Sequence, residues 1–394
     1  MKAIFSFFCC FILLMGEAYP QNSDSPAIFI TKFPFEQLSG GVMLIEAKFN
    51  DIQKPLNFIL DTGSGAISLD SATAAHNGVL HKPSGKSLTG INGSKKVDYV
   101  QNCRLTVPGL RIDSLDFYIN DYEILSEVYG KKIDGIIGYS FFKRFILEVN
   151  FDTHEIEVFS PGSFIYPKRG TLLHPAFTAL PIQSLFLADR QKSISNFYMD
   201  TGAGLNFLLS EQFVRDSSFL KKKRKPVFIQ VQGSGGKNRM LLTVIKELRI
   251  GPYKFRKVPT NILKDESNVL SYPHIMGLIG NDLLRRFNLI FNYPKKEIHL
   301  LPNTHFKESF DYSYTGINMY YKDGLILSDE VIENSPAYKA GLREGDIILG
   351  VNNNFSNDVE AYKIQMNEVG KYVTIYISRK GELQNLIFQV DEIR

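Results

Sequence analysis

Apolar positions fall into many short runs along the chain, with no long helical stripes among them. Residues 42–49, 104–107, 115–119, 145–150, 241–250 and 289–292 are rich in Val, Ile, Leu, Phe and Tyr, and Gly, Pro, Asn and Asp punctuate the intervals. That pattern predicts β-strands throughout. Helices are expected to be few and short, the best candidates being residues 140–145 and 281–287. Two stretches read as linkers: residues 162–174, which carry Pro167 and the group Lys168-Arg169-Gly170, and residues 302–312. The first apolar run, residues 3–15, differs from the rest. It is broken only by Ser6, follows Lys2, and ends before Gly16-Glu17-Ala18, the arrangement of a secretory signal with its cleavage site near residue 18. At 13 residues it is short of the roughly 20 that span a bilayer as a helix. A retained anchor is the alternative reading, and no stable membrane span is expected after cleavage.

The strand pattern occurs twice. Asn57-Phe58-Ile59-Leu60-Asp61-Thr62-Gly63-Ser64-Gly65 is echoed 139 positions later by Asn196-Phe197-Tyr198-Met199-Asp200-Thr201-Gly202-Ala203-Gly204. Gly135-Ile136-Ile137-Gly138 returns 142 positions later as Gly277-Leu278-Ile279-Gly280, and Arg144-Phe145 as Arg286-Phe287. From Asp to the closing Gly the spacing is 77 in the first copy and 80 in the second. Two homologous lobes follow from such a repeat.

Composition narrows the picture only a little. The 394 residues carry 44% apolar and 22% charged side chains, as a globular chain of several domains does. The net charge of +4 is too small to argue for nucleic acid as the main partner. The run Lys221-Lys222-Lys223-Arg224-Lys225 could suggest otherwise, but it lies between two strand-like segments and reads as a solvated loop. Cys9 and Cys10 leave with the signal, so Cys103 has no disulfide partner and is expected as a small buried apolar residue.

The candidate chemistry lies in the repeat. An apolar strand ending in Asp-Thr-Gly puts a carboxylate on a tight turn where the strand surfaces. If a twofold axis relates the copies, Asp61 and Asp200 face each other, cannot both ionise, and share one proton. Such a pair offers a base for water and an acid for a carbonyl oxygen at one point, with no cofactor and no metal.

These paired segments resemble the retropepsin-type aspartyl proteases, in the bacterial form with both lobes in one chain, over residues 35 to 302. The resemblance implies a mainly β fold of two closed lobes related by a pseudo-twofold axis, lobe 1 at 35–161 and lobe 2 at 172–302. It implies an aspartic endopeptidase with Asp61 and Asp200 catalytic. Thr62 and Thr201 would tie the two turns together, with Gly63, Ser64, Gly202 and Ala203 supporting them. It implies a substrate-binding hairpin flap in each lobe, at residues 89–96 with Gly90 and Gly93, and at 232–238 with Gly233 and Gly235. Ser64 can hydrogen-bond its neighbouring carboxylate and Ala203 cannot, so Asp61 is expected to ionise more readily. Peptides or proteins would be the substrates, and one chain suffices for the site, because the covalent link gives the lobes a high effective concentration.

Residues 312–394 change character. Ser335-Pro336 starts a helix, Gly341 stops it, and Gly345-Asp346 turns into an apolar strand. The string Ser335-Pro336-Ala337, Ala340-Gly341-Leu342 and Gly345-Asp346-Ile347-Ile348 resembles a PDZ domain of bacterial envelope proteases, a small β barrel with two helices. In that family a loop and the following strand, here Thr315, Gly316 and Ile317, would take a peptide carboxyl terminus by strand addition. The other reading is a domain that only braces the lobes. An exported protein, periplasmic or secreted, is expected. Two rival functions remain open on the sequence: a catalytically silent peptide binder, and an actin-like ATPase, which also repeats an Asp-x-Gly turn but needs long helices.

Overall fold

A computed structural model describes residues 25–90, 93–233, 236–264, 270 and 273–393. The expected signal lies outside these residues. The first lobe contains β1 (Phe29–Pro34), β2 (Glu36–Gln37), β3 (Met43–Phe49), β4 (Leu56–Leu60), β5 (Ile67–Asp70), α1 (Ser71–His76), β6 (Lys82–Gly90), β7 (Gly93–Val107), β8 (Leu110–Asn120), α2 (Glu123–Tyr129), β9 (Gly135–Ile137), α3 (Tyr139–Phe142), β10 (Ile146–Asn150) and β11 (Glu155–Phe159). The second repeats the plan with β12 (Thr171–Leu173), β13 (Ala176–Phe177), β14 (Pro181–Ala188), β15 (Lys192–Asp200), β16 (Phe207–Ser210), α4 (Glu211–Asp216), β17 (Val227–Gly233), β18 (Gly236–Ile250), β19 (Tyr253–Leu263), β20 (Gly277–Gly280), α5 (Asn281–Leu284), β21 (Phe287–Asn292) and β22 (Glu297–Pro302).

Each lobe is an eight-stranded sheet of the same order, β2-β3-β4-β9-β5-β8-β7-β6 and β13-β14-β15-β20-β16-β19-β18-β17. Extra pairings of β3 with β7 and of β14 with β18 curl each sheet on itself and close it as a barrel. Strands such as β4 bury nearly every residue, including Phe58, Ile59 and Leu60, because one side faces the barrel core and the other faces neighbouring chain. A third sheet, β1-β11-β10-β21-β22-β12, joins the lobes. Its centre is the antiparallel pair β10–β21, Leu147 opposite Phe291 and Val149 opposite Leu289, so each lobe supplies three strands about the pseudo-twofold axis.

Two expectations are corrected here. The linker read at 162–174 ends in strand β12, which pairs with β22, and β1 begins six residues before the expected start of the first lobe. Both strands are needed at the edges of the joining sheet, and their apolar runs are too short to stand out in the sequence. The second linker is a strap: Phe306 and Phe310 pack on the core, and the buried Arg286 guanidinium lies 4.1 Å from the Phe310 ring centre and donates to the carbonyls of Glu308 and Ser309. The predicted short helices appear as α3 and α5, shortened to one turn, whereas α1, α2 and α4 were not read from the sequence. The described helices of both lobes are at most seven residues long, which removes the actin-like alternative.

The carboxy-terminal unit holds β23 (Ser313–Tyr314), β24 (Ile317–Lys322), β25 (Leu325–Val331), α6 (Pro336–Lys339), β26 (Ile347–Val351), α7 (Val359–Ile364), β27 (Tyr372–Arg379), β28 (Glu382–Gln389) and β29 (Asp391–Glu392). The sheet order is β24-β25-β26-β27-β28, with β23 and β29 pairing separately. Ser335 caps α6 by accepting from Tyr338 N at 3.2 Å, and Gly341 closes it at φ +103°, as the sequence predicts. Asp346 is buried and bidentate to Arg379 at 2.6 Å, which pins the turn that feeds β26.

Candidate active site

β4 and β15 run to the centre of the molecule and end at Asp61 and Asp200. Each lies parallel to the short strand of its own lobe's glycine motif, Phe58 opposite Gly135 and Tyr198 opposite Leu278. The Asp turn then folds back over that motif's closing glycine. A Cβ on Gly138 would stand 2.3 Å from the Ser64 carbonyl oxygen, and one on Gly280 would stand 2.1 Å from that of Leu205. Close backbone approach therefore explains why the two motifs occur together in each copy.

The threonines interlock across the axis. Thr62 N donates to Thr201 Oγ1 at 3.0 Å and Thr201 N to Thr62 Oγ1 at 3.0 Å. Thr62 Oγ1 donates to the Met199 carbonyl at 2.8 Å, and Thr201 Oγ1 to that of Leu60 at 3.0 Å. Both side chains are buried, so these four bonds replace water completely and fix the two turns as one unit.

This lock brings the carboxyls of Asp61 and Asp200 into hydrogen-bonding contact. A Cβ on Gly63 would lie 2.4 Å from the Asp200 Cγ, and a Cβ on Gly202 would lie 2.4 Å from the Asp61 Cγ. Each lobe's glycine thus makes room for the other lobe's carboxyl. Burial raises both proton affinities; at Asp61 the Asp200 charge and the shared hydrogen bond raise it further, well above the usual carboxylate range. The hydrogen bond from Asp61 and the N–H groups of Gly202 and Ala203, at 2.9 and 3.0 Å, stabilise the charged form of Asp200.

The pair is therefore held to one shared proton, and the larger rise at Asp61 runs against the expectation that Asp61 ionises more readily. The Ser64 hydroxyl donates to the Ala66 carbonyl at 3.1 Å instead of the carboxylate, and Ser64 N donates to the main-chain oxygen of Asp61. In the second copy the N–H of Ala203 reaches the carboxylate itself. Both carboxyls accept main-chain N–H groups, Asp61 from Gly63 at 2.6 Å and Asp200 from Gly202 and Ala203, and the Ser64 hydroxyl takes no part in the pair.

The two flap segments are hairpins. β6 and β7 pair up to Gly90 opposite Gly93, and β17 and β18 up to Gly233 opposite Gly236. Gly235 lies outside the described residues. Thr315, Gly316 and Ile317 lead into β24. Gly316 sits at φ +73° with its Cβ direction 2.1 Å from Ser335 Cβ, so only glycine fits there. Cys103 is buried, and burial pushes its thiol up to about 11, in keeping with the apolar reading. Arg224 of the basic run is drawn into an ion pair with buried Asp189 at 2.6 Å.

Sequence reasoning missed a polar support beneath the first lobe. Asp70 caps α1 through Thr73 N at 3.0 Å, accepts from Tyr122 N at 3.0 Å and meets Lys132 Nζ at 2.6 Å. Asp134 bonds Asn57 N at 2.8 Å and Thr73 Oγ1 at 2.7 Å, tying the start of β4 to that cap. Asp134 directly before the Gly135 motif was the available signal. Asn281 Nδ2 donates to the carbonyl of Gly41, and a Cβ on Gly40 would stand 2.2 Å from Gly204 O, so the Ser39-Gly40-Gly41 loop of one lobe docks on the Asp turn of the other.

Comparison with known proteins agrees with this geometry. The aspartyl protease family model matches residues 45–141 and 190–283, one segment per lobe, and the PDZ domain model matches residues 328–362. Over 74 residues the chain is 40% identical to the zinc metalloprotease RasP of Shouchella clausii (strain KSM-K16), covering 17% of this chain. The chain spans 16% of that relative's length, so the likeness is local. With one matched segment in each symmetric barrel and one in the terminal sheet, the chain belongs to the retropepsin-like aspartyl proteases, with both lobes in one polypeptide and a PDZ domain behind them.

Proposed function

We propose that the protein is an aspartic endopeptidase that hydrolyses peptide bonds with a water held between Asp61 and Asp200. The observation that carries this reading is the hydrogen-bonded carboxyl pair, half-buried at the turn where the two lobes interlock. Asp200, the charged member, takes a proton from the water as its oxygen attacks the peptide carbon. Protonated Asp61 donates to the carbonyl oxygen. The product of this step is a gem-diol, whose breakdown returns a proton to the leaving amine. No covalent adduct forms.

Thr62, Gly63, Thr201 and Gly202 hold the pair at its spacing, and the hairpins ending at Gly90–Gly93 and Gly233–Gly236 cover a bound peptide. Extended substrates suit such a cleft, because hairpin backbones can hydrogen-bond a strand on either side. A single chain forms the whole site. The PDZ domain docks carboxyl termini of substrates or partners at Thr315, Gly316 and Ile317, and the protein acts outside the cytoplasm, in the periplasm or secreted.

A peptide library digested by the wild type, by Asp61→Asn and by Asp200→Asn, with products read by mass spectrometry, tests the reading. Cleavage by the wild type alone is expected. Cleavage that persists in either variant removes the pair from the chemistry, and a wild type that binds library peptides without cutting them leaves a silent binder.

A further inference from the structure

The groove assigned to peptide capture is already in contact with another part of the chain. Among the described residues β24 is the outer strand of the PDZ sheet and pairs with β25 alone, and α2 of the first lobe packs against it and reaches α7 as well. Lys322 Nζ, at the end of β24, lies 2.8 Å from Glu127 Oε1 and 3.7 Å from Glu123 Oε1. From α7, Lys363 Nζ donates to the Val128 carbonyl at 3.3 Å. Gly130, which ends α2 at φ +62°, fits between strand and helix: a Cβ there would be 3.8 Å from Tyr321 Cβ and 3.8 Å from Val359 Cγ2. The carboxy-terminal end of α2 is therefore seated between the two elements that border the groove.

The same domain also grips the far side of the cleft. Tyr314 Oη donates to the Phe228 carbonyl on β17 at 3.3 Å, and Arg239 on β18 pairs with Glu330. α2 itself touches β17. A helix of the first lobe and the flap hairpin of the second are thus held together across the mouth of the cleft, with the PDZ domain bonded to both.

We propose that the PDZ domain clamps the cleft through its own groove, with α2 as resident occupant, and that an acidic peptide with a free carboxyl terminus displaces α2 and raises turnover. The proposal deepens the docking role stated above and rests on it. The ligand's chemistry follows from what α2 offers now. Lys322 is answered by two glutamates of α2, while Lys363 is paired with Glu360 of its own helix at 2.9 Å and also donates to the Val128 carbonyl, so a replacement needs carboxylates upstream of its end to meet Lys322 and a strand backbone to lie along β24. Displacement reaches the cleft because Leu125 of α2 and Tyr122, the residue that precedes the helix, lie in one apolar cluster with Ile136 and with Ile59, which stands two positions before Asp61.

The test uses the full chain carrying Asp61→Asn for binding and exchange, and the full chain with both aspartates for turnover. The probes are fluorescein-labelled decapeptide pools with a free carboxyl terminus, one with two Glu and one with two Lys at the fourth to sixth positions from the end, and amidated copies of each. Expected results are binding of the free-carboxyl Glu pool, faster hydrogen exchange of amides 123–130 when it is bound, and faster cleavage of a quenched internal peptide. Lys322→Glu with Lys363→Glu should release α2 without ligand, raise its exchange and basal turnover about fivefold, as loss of such contacts implies, and shift preference to the Lys pool. Unchanged exchange at saturating Glu pool, reduced turnover, or no binding by any pool overturns the proposal. If the wild type cleaves nothing, the endopeptidase reading fails alone, while binding and exchange still decide whether α2 fills the groove.

Discussion

Replacing Thr62 by Val keeps the shape of the side chain and removes one hydroxyl from the lock beneath the aspartates. That hydroxyl accepts from Thr201 N at 3.0 Å and donates to the Met199 carbonyl at 2.8 Å, and Thr62 is buried, so water cannot replace it. One N–H and one C=O are left unpaired, at about 1–3 kcal/mol each, or about 2–6 kcal/mol in all. Thr201→Val should cost the same, because it orphans Thr62 N and the Leu60 carbonyl in matching geometry. With a urea m value of about 3 kcal/mol/M, the midpoint should fall by about 0.7–2 M. Near-UV circular dichroism reports the transition of the lobes through their tyrosines, since the chain has no tryptophan. Thr62→Ser, which keeps both bonds, should lose far less. Midpoint shifts below about 0.2 M, or a large difference between the two Val variants, would refute the claim that the lock is symmetric and stabilising.

Three further outcomes follow from the same geometry. Asp61→Asn should stabilise the protein at pH 7: the raised proton affinity of Asp61 means the unfolded chain releases its proton first, so stability falls as pH climbs from about 3.8 toward the folded value, and thermal melts of variant and wild type should converge below pH 3.8. Gly63→Ala or Gly202→Ala should lower kcat/KM at least about 100-fold, because a Cβ 2.4 Å from the opposing carboxyl carbon forces the pair apart, while circular dichroism stays near that of the wild type. Arg286→Met should loosen the strap at 302–312, visible as faster limited trypsin cleavage after Lys307, since the carbonyls of Glu308 and Ser309 lose their donor.

Much of the fold was legible because the architecture repeats and the chemistry sits in the repeat. The Asp-Thr-Gly turns and the Gly-Ile-Ile-Gly and Gly-Leu-Ile-Gly strands are local signals with backbone reasons: a glycine is needed wherever another main chain or carboxyl comes within van der Waals reach, and those glycines stand in the sequence at matching places. α1, α2 and α4 were not legible. At six or seven residues they are shorter than any periodic pattern can establish, and tertiary packing holds them in place.

By itself, the sequence determined which residues are paired: Asp61 with Asp200, Thr62 with Thr201, Gly63 with Gly202. Repeat symmetry requires this once two lobes share one axis. That the Ser64 hydroxyl turns to the Ala66 carbonyl while the Ala203 N–H turns to the Asp200 carboxylate was decided only by the tertiary structure, because the backbone path of each turn sets both bonds. The contact of α2 with the PDZ domain was likewise invisible, since Glu127 and Lys322 are 195 positions apart and meet only when the first lobe and the PDZ domain are assembled.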